Sequence, residues 1–319
     1  MKITGPNMDI YFSDLQAKWL DGYKSAPSYY EQFCETRASK GRETRYAWPD
    51  RIPNFRIWDN ERQINNIVAQ EYTIQNKLWE LTTGVKRTDL ADDIHDIFTG
   101  TTPSQLGKQA RILPDLRAVA LLQSGTTLTT FDGVPFFSGS HPIDTFHPSK
   151  GSQSNRFDSS TVGPTPVNPA NMQAVLAAMG SLIGRDGNPL GFWPSLVMGP
   201  PARKFDMEQV FNMQFLTQAL TVAGVASGVA TTENALRGMC KVLVNEWLAG
   251  DPNTIYVFDL RDKDYKPMAW QTREPPEFTW LNKPNDYTVF MLDQYLFGGR
   301  MRGEAGYGLY YTAARVSNS

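Results

Sequence analysis

The sequence of 319 residues is poor in the residue types that usually build covalent or metal-based chemistry. It holds two cysteines, Cys34 and Cys240, and three histidines, His95, His141 and His147. Two cysteines are too few for a disulfide framework or a structural zinc site, which indicates a reducing compartment. No apolar run is long enough to cross a bilayer, and the first twenty residues lack the apolar core of a secretory signal. We therefore expect no membrane segment, metal or cofactor.

The sequence also lacks an excess of charge of either sign. Lys and Arg number 31 against 33 Asp and Glu, so the formal net charge is −2. A dedicated nucleic-acid-binding protein usually carries a strongly basic surface, so we expect any contact with nucleic acid to be weak and local. Hydrophobic residues make up 41% and aromatic residues 12% of the chain, which is typical of a folded protein. The aromatic residues serve either an aromatic-rich core or surfaces that become buried against partners.

Apolar residues at helical spacing predict three main helical regions. The first covers 12–36 and is followed by a basic, irregular loop at 37–45. The second begins near Pro103, and Pro114 is expected to break or kink it and to open another helix that ends at Gly125, because proline lacks the amide that a helix interior needs. The third begins at Pro169, directly after a good N-cap residue.

Apolar runs in the second half of the chain predict strands. The stretches "MCKVLVNEWL", "TIYVFDL" and "KPMAWQTRE" are interpreted as successive strands, and both ends of 286–316 as further ones. The Gly- and Ala-rich stretch 219–235 is interpreted as a loop. The chain is thus expected to mix helices and strands.

The stretch "YTIQNKLWELTTGVK", residues 72–86, alternates apolar and polar residues and predicts one long, half-buried strand. Together with the polar segment before it, it forms a predicted hairpin over 46–88. Limbs of about a dozen residues reach roughly 40 Å, whereas a chain of this length has a radius of gyration of about 20 Å. A two-stranded hairpin is marginal in water, so this one is expected to need a partner surface.

The stretch "SGSHPID" offers the only grouping with a catalytic or metal-binding alternative. Ser138, His141 and Asp144 are the residue types of a hydrolase triad, and His141, Asp144 and His147 could bind a metal. A triad is assembled in space and seldom from neighbours on one loop, so a turn in which His141 packs is the favoured interpretation. A hydrolase using 138–147 is kept as an alternative, and the prediction is that the protein is not an enzyme.

Several blocks, in order along most of the chain, resemble the major head subunit of Mu-like bacteriophages. This family has the Hong Kong 97-type capsid fold. The blocks are "DGYKSAPSYYEQ", "RETRYAWPDRIPNFRIWDNER", "YTIQNKLWELTTGVKRTDLADD", "PDLRAVALLQSG", "FDGVPFFSGSHPI", "GRDGNPLGFWPSLVMGPPA", "VNEWLAGDPNTIYVFDL" and "RGEAGYGLYY".

The resemblance implies an α+β chain of the Hong Kong 97 type, divided into five segments. They are an N-terminal arm at 1–44, an extended hairpin loop at 45–88, a peripheral domain with a spine helix at 89–168, an axial domain at 169–284, and return strands of the peripheral domain at 285–319. It also implies a function. Copies would self-assemble into pentamers and hexamers of an icosahedral phage head that encloses double-stranded DNA. Another head component on the same fold is the alternative.

Two sets of residues follow as predicted contact sites. The subunit interface is predicted at the hairpin, with Trp58, Arg62, Tyr72, Asn76, Lys77 and Trp79. The inward, DNA-facing basic residues are predicted to be Arg37, Lys40, Arg42, Lys108 and Arg111. The expected partners are other copies, a scaffold, a portal, a decoration protein and packaged DNA in weak contact, with no small-molecule ligand and no membrane. The expected location is the virion, after assembly in the bacterial host cytoplasm.

Overall fold

The computed structural model describes residues 5–49, 69–92, 97–159, 167–222, 225–262 and 266–318. The helices are α1 (Gly5–Ser25), α2 (Tyr30–Phe33), α3 (Arg87–Ala91), α4 (Thr102–Gln123), α5 (Pro169–Gly180), α6 (Lys204–Phe211) and α7 (Tyr287–Leu292). The strands are β1 (Cys34–Ala38), β2 (Glu43–Pro49), β3 (Ala69–Gln75), β4 (Lys77–Lys86), β5 (His141–Pro142), β6 (Ser152–Gln153), β7 (Arg156–Phe157), β8 (Leu196–Gly199), β9 (Phe215–Val222), β10 (Val225–Glu233), β11 (Lys241–Val244), β12 (Thr254–Phe258), β13 (Met268–Leu281), β14 (Gln294–Tyr307) and β15 (Ala313–Ser317).

Two sheets carry most of the described architecture. The first has four strands in the order β1-β13-β14-β4, with β1 parallel to β13 and the other pairs antiparallel. The second has five strands in the order β11-β8-β12-β15-β7. Three two-stranded ribbons, β2-β3, β9-β10 and β5-β6, accompany these sheets. Helices and strands are therefore combined as the α+β prediction requires.

Strand β12 shows how sequence produces the centre of the second sheet. All five of its residues, Thr254 to Phe258, are buried. Because side chains alternate between the faces of a strand, Tyr256 and Phe258 enter one apolar cluster while Ile255 and Val257 enter another. The first cluster lies between the two sheets and α4, and the second lies under α5 and α6. A continuous apolar run is what a strand covered on both faces needs.

Two helix predictions are wrong in their bounds. The first helix begins at Gly5 and ends at Ser25, and residues 34–36, at the end of the predicted helical region 12–36, belong to β1. Pro114 does not end a helix, since α4 runs without a break from Thr102 to Gln123 with Pro114 buried inside it. A proline inside a helix costs about 3 kcal/mol, so burial of α4 against α1 and β14 must offset that loss.

Two segments predicted as loops are strands. Part of the basic stretch 37–45 belongs to β1 and β2, and the Gly- and Ala-rich stretch 219–235 is largely the antiparallel ribbon of β9 and β10. Neither segment shows, in its sequence, the alternation of apolar and polar residues by which strands were predicted. The strands predicted in "MCKVLVNEWL", "TIYVFDL" and "KPMAWQTRE" are confirmed as β11, β12 and β13.

The two sheets cross the predicted segment boundaries. Strand β13 falls within 169–284 yet pairs with β14 and β1. Strand β15 falls within 285–319 yet pairs with β12 in the five-stranded sheet. Sheet membership depends on which strands meet in space, and the chain passes between the sheets more than once. The division into arm, hairpin, peripheral and axial segments stays a prediction.

Candidate assembly surface at the hairpin root

The β2–β3 ribbon rises from the four-stranded sheet without joining it. Its register runs from Glu43 opposite Gln75 at the root to Pro49 opposite Ala69, and the chain between the strands, 50–68, lies outside the described residues. Among the described strands, neither β2 nor β3 pairs with a third one. The ladder edges of this ribbon are therefore available for contact beyond those strands.

The root of the ribbon is held by one buried amide, that of Gln271 on β13. Its Oε1 accepts a hydrogen bond from the Tyr46 hydroxyl at 2.9 Å. Its Nε2 donates to the Ile74 carbonyl at 3.0 Å and to Asn76 Oδ1 at 2.8 Å. Gln271 has no solvent exposure, so its amide cannot hydrogen-bond to water and depends on these protein partners. The amide thus joins β2, β3 and the residue after β3 to the sheet.

Asn76 completes this root from the other side and also divides the chain into two strands. Its Nδ2 donates to Ser39 Oγ at 2.7 Å and to the Gly41 carbonyl at 2.8 Å, and its backbone N–H donates to the Arg42 carbonyl at 2.9 Å. The prediction of one long strand over 72–86 is therefore wrong. The backbone of Asn76 bonds to the 39–42 turn, so β3 turns to pair with β2 while β4 pairs with β14.

A close approach beneath the root is possible because Gly306 lacks a side chain. A Cβ on Gly306 would lie 2.0 Å from Ile74 Cδ1 and 2.4 Å from Ile74 Cγ1. Ile74 is buried in a small cluster with Tyr46, Ala269 and Leu309. The ribbon is thus packed onto the sheet at its base.

The base of β4 carries an ionic cluster next to the root. The nearly buried carboxylate of Glu304 accepts hydrogen bonds from Arg117 Nε at 3.0 Å and Nη2 at 3.3 Å, and Lys77 Nζ lies 3.0 Å from its Oε2. The Arg117 guanidinium lies 4.8 Å from the ring centroid of Trp79, whose indole N–H donates to the Gly303 carbonyl at 3.0 Å. One acidic side chain therefore joins α4, β4 and β14.

Four of the six predicted interface residues lie in the described part of the chain. Trp58 and Arg62 lie outside the described residues. Tyr72, Asn76, Lys77 and Trp79 all lie at the root and contact residues of their own chain; the ring centroid of Tyr72, for example, lies 6.2 Å from that of Tyr307. Their role between subunits stays a prediction. Sequence reasoning missed Gln271 and Glu304, although a polar residue at an inward position of an apolar strand could have indicated both.

The predicted basic residues fall into two groups on different elements. Arg37 is paired with Glu35 at 2.6 Å, and Arg111 is paired with Glu31 at 3.0 Å. Lys40 and Arg42, in the turn before β2, and Lys108, on α4, are exposed. The exposed members are the ones that can reach a phosphate without first losing an ion pair, and the DNA-facing role of all five stays a prediction.

The 138–147 loop builds two separate histidine–aspartate pairs. His141 is fully buried; its Nδ1 lies 2.5 Å from Asp132 Oδ2 and its Nε2 lies 3.1 Å from Asn155 Oδ1. The ring of His141 also stacks on Tyr310 at 3.7 Å. The Ser138 hydroxyl oxygen accepts from the Ser140 N–H, and the ring nitrogens of His141 contact Asp132, Phe136 and Asn155 rather than this hydroxyl. The residues fit the favoured interpretation, a turn in which His141 packs.

The buried carboxylate of Asp144 contacts three basic side chains at the end of this loop. Its Oδ2 lies 2.9 Å from His147 Nδ1, 3.1 Å from Lys150 Nζ and 3.1 Å from Arg185 Nε. Burial by itself raises the pKa of a carboxyl, but these hydrogen bonds, one from the Phe146 N–H, and the charge of Arg185 outweigh burial and hold the pKa of Asp144 well below its usual range. These ion pairs connect the loop to the turn at Arg185, so the cluster has a structural role.

The described part of the chain contains neither a candidate metal centre nor a candidate membrane-spanning helix. No group of three or more His, Cys, Asp or Glu residues in it is arranged to hold a metal ion. Among the described helices, none combines the length and the hydropathy that a bilayer-spanning segment requires.

Comparison with known proteins places this fold in a family. The family model of the Mu-like prophage major head subunit gpT matches residues 8–167 and 238–319. The major capsid protein of Escherichia phage Mu is 23% identical over 316 residues, which cover 99% of this chain and 75% of that protein.

Solved structures agree on the fold. A chain of the bacteriophage JBD30 procapsid is 24% identical, with a TM-score of 0.57 over 99% of this chain and 77% of that one. A chain of the JBD30 capsid decorated with minor capsid protein trimers is also 24% identical, with a TM-score of 0.54 over 70% of this chain and 92% of that one. The chain therefore belongs to the Mu-like prophage major head subunit gpT family and is a phage major capsid protein with the Hong Kong 97-type fold.

Proposed function

We propose that copies of this chain assemble into pentamers and hexamers that close an icosahedral head around double-stranded DNA. Membership in the head-subunit family supports this proposal. So does the near-neutral charge, since a shell that encloses DNA without reading its sequence needs no strongly basic surface.

The observation that carries the proposal is the β2–β3 ribbon with its fixed root. Gln271, Asn76 and Ile74 hold its base, while its described strands pair only with each other. A two-stranded ribbon alone is marginal in water, so cover from a second copy would stabilise it. A contact between two different surfaces of identical copies, repeated around an axis, closes a ring. Each contact can be modest because every subunit makes several at once.

The segments then have the roles that the resemblance implies. Residues 1–44 act as the arm, 45–88 contain the loop that reaches a neighbour, and α4 is the spine helix of the peripheral domain. Residues 169–284 form most of the axial domain at the capsomer centre. The sheet memberships of β13 and β15 support a modified boundary, in which β13 is peripheral and β15 is axial.

The partners follow from the same function. Packaged DNA contacts the exposed Lys40, Arg42 and Lys108 weakly and in a salt-dependent manner. A scaffold, a portal and a decoration protein act on the assembled shell; the decorated JBD30 capsid supports the last of these. Assembly takes place in the host cytoplasm. The 138–147 loop has a structural role and not a catalytic one, since both ring nitrogens of His141 are engaged.

Negative-stain electron microscopy tests the proposal. The wild type is compared with a variant in which 50–68 is replaced by a short glycine-serine turn. This replacement leaves β2, β3 and β4 intact, whereas a deletion of 56–80 removes all of β3 and part of β4 and would confuse a failure of assembly with a failure of folding.

We expect shells or capsomers from the wild type and folded, unassembled subunits from the variant. Circular dichroism and the urea midpoint of the variant serve as the folding control. Normal shells from the variant would refute the role of the ribbon. A wild type that forms neither shells nor capsomers, with or without co-expressed head proteins, would refute the function.

A further inference from the structure

A buried carboxylate lies in the interior of α4, where a charged side chain is unusual. Asp115 has no solvent exposure, and it stands in the middle of a helix of 22 residues. Aspartate is a weak helix former, because its side chain hydrogen-bonds to nearby backbone groups in non-helical conformations. A buried carboxylate also needs hydrogen bonds that offset its lost hydration. The reason for this residue at this position therefore lies in what its side chain contacts.

The partners of Asp115 lie 86 and 85 residues earlier in the chain. Its Oδ1 accepts hydrogen bonds from the Tyr29 N–H at 2.8 Å and from the Tyr30 N–H at 2.5 Å. These two amides lie at the start of α2, whose N-cap residue, Tyr29, makes no side-chain cap bond of its own. The other carboxylate oxygen, Oδ2, makes no hydrogen bond of normal geometry with the described residues. One oxygen of this buried group is thus satisfied and the other is not.

The segment that these bonds hold, residues 26–33, connects two well-fixed parts of the fold. Before it, α1 packs closely on α4, since a Cβ on Gly22 would lie 2.0 Å from the Ser104 carbonyl oxygen. After it, β1 pairs in parallel with β13. Asp115 joins the segment between them to α4. A change at this one side chain can therefore act on the connection 26–33 while the elements at both of its ends stay packed.

Burial is the main influence on the ionisation of Asp115. It raises the pKa of the carboxyl above its usual value, and the hydrogen bonds from the two amides, the nearby Ser28 hydroxyl and the charge of Arg111 offset this only in part. Arg111 pairs with Glu31, at 3.0 Å, and not with Asp115. The other titratable groups around this site are Tyr23 on α1, the hydroxyls of Tyr29 and Tyr30, Cys34 on β1, Lys266 before β13 and Glu246 after β11.

We propose that Asp115 is a pH-sensitive latch, whose carboxyl holds the connection 26–33 to α4 more weakly at neutral pH than in mild acid. The charged form loses hydration that one unbonded oxygen does not regain, whereas the neutral form keeps Oδ1 as an acceptor for both amides. Because the folded-state pKa lies above the unfolded-state value of about 3.9, the folded subunit binds more protons between the two values. The contribution of Asp115 to stability therefore falls as the pH rises through the folded-state pKa. The latch is a property of the single subunit and does not rest on the proposed assembly function.

Two aspartate-to-asparagine variants test the latch with opposite expected trends. Asp115→Asn keeps the acceptor oxygen and removes the titration. Asp144→Asn is the matched control, because Asp144 is also buried but has a lowered pKa. In urea titrations of the unassembled subunit between pH 3 and 7, the stability of Asp115→Asn relative to the wild type is expected to rise with pH, whereas that of Asp144→Asn is expected to fall.

Amide hydrogen exchange gives a second readout that needs no variant. In the wild type, the protection of 26–33, corrected for intrinsic exchange and compared with that of β12, is expected to fall by about twofold or more from pH 4 to pH 7. The comparison with β12 separates opening of the connection from unfolding of the whole subunit.

Each outcome supports or overturns the latch. Opposite trends of the two variants, with the loss of protection confined to 26–33, support it. A flat trend for Asp115→Asn, or one that falls with pH as for Asp144→Asn, overturns it. A loss of protection that is equal in 26–33 and β12 also overturns it, because the carboxyl would then act on the whole fold. If Asp115→Asn does not fold, the wild type decides alone, and equal protection of 26–33 at pH 4 and pH 7 overturns the latch.

Discussion

Replacement of Gln271 by leucine gives a direct measure of how firmly the hairpin root is held. Leucine is similar in size but removes three hydrogen bonds, to the Tyr46 hydroxyl, the Ile74 carbonyl and Asn76 Oδ1. A buried hydrogen bond contributes about 1 kcal/mol, and each partner left unpaired costs about 1–3 kcal/mol. We expect Gln271→Leu to lower the free energy of unfolding by about 3–5 kcal/mol, which is a large part of a typical total of about 5–15 kcal/mol.

Urea denaturation of the unassembled subunit measures this loss, and amide hydrogen exchange locates it. Tyr46→Phe is the matched control, because it removes one of the three bonds and is expected to cost about 1 kcal/mol. Exchange in Gln271→Leu should accelerate first at the amides of β2 and β3. The reasoning is refuted if Gln271→Leu costs no more than Tyr46→Phe, or if protection is lost evenly across both sheets.

Three further predictions follow from named contacts. Gly306→Ala is expected to lower the free energy of unfolding by about 1–3 kcal/mol, because its Cβ overlaps Ile74, while Gly139→Ala, with nothing within 4 Å, should be near neutral in the same urea titration. The pKa of Asp144 is lower in the folded protein than its unfolded-state value of about 3.9, so the charged carboxylate stabilises the fold fully above that value and progressively less as the pH falls below it. The loss in free energy of unfolding caused by Asp144→Asn should therefore shrink between pH 5 and 3. A loss that stays constant over this range would contradict the argument. Lys40→Gln with Arg42→Gln should reduce the slope of log K against log salt for duplex DNA by up to about 2, and an unchanged slope would remove both residues from the DNA-facing surface.

The apolar pattern predicted the elements whose faces are set by burial. In β4, Val85 is buried and Trp79 half-buried on the predicted inward face, as alternation requires. Helix α5 begins at Pro169 after the N-cap Asn168, whose side chain accepts from the Asn171 N–H at 2.8 Å. These features depend on neighbours within a few residues, and such local rules can be applied to a single sequence.

Strand partners could not be predicted in the same way. The break at Asn76 depends on Gln271 and on the turn at 39–42, both of which are distant in sequence. The continuity of α4 through Pro114 depends on the surface of α1 and β14 that covers it. The β9–β10 ribbon could not be predicted either, because its sequence is rich in small residues and lacks a regular alternation of apolar and polar ones. The resemblance to a known family supplied the fold where these local rules could not.

The bend at Asn76 also determines how the protein bears load. A pull on the ribbon along β4 acts parallel to the ladder that β4 forms with β14, which extends over ten residue pairs from Lys77 to Lys86. In that direction the hydrogen bonds are sheared together and resist as a set. A sideways pull would instead open the β2–β3 ribbon one pair at a time. We therefore expect the subunit to resist a pull along β4 more strongly than a pull that separates β2 from β3.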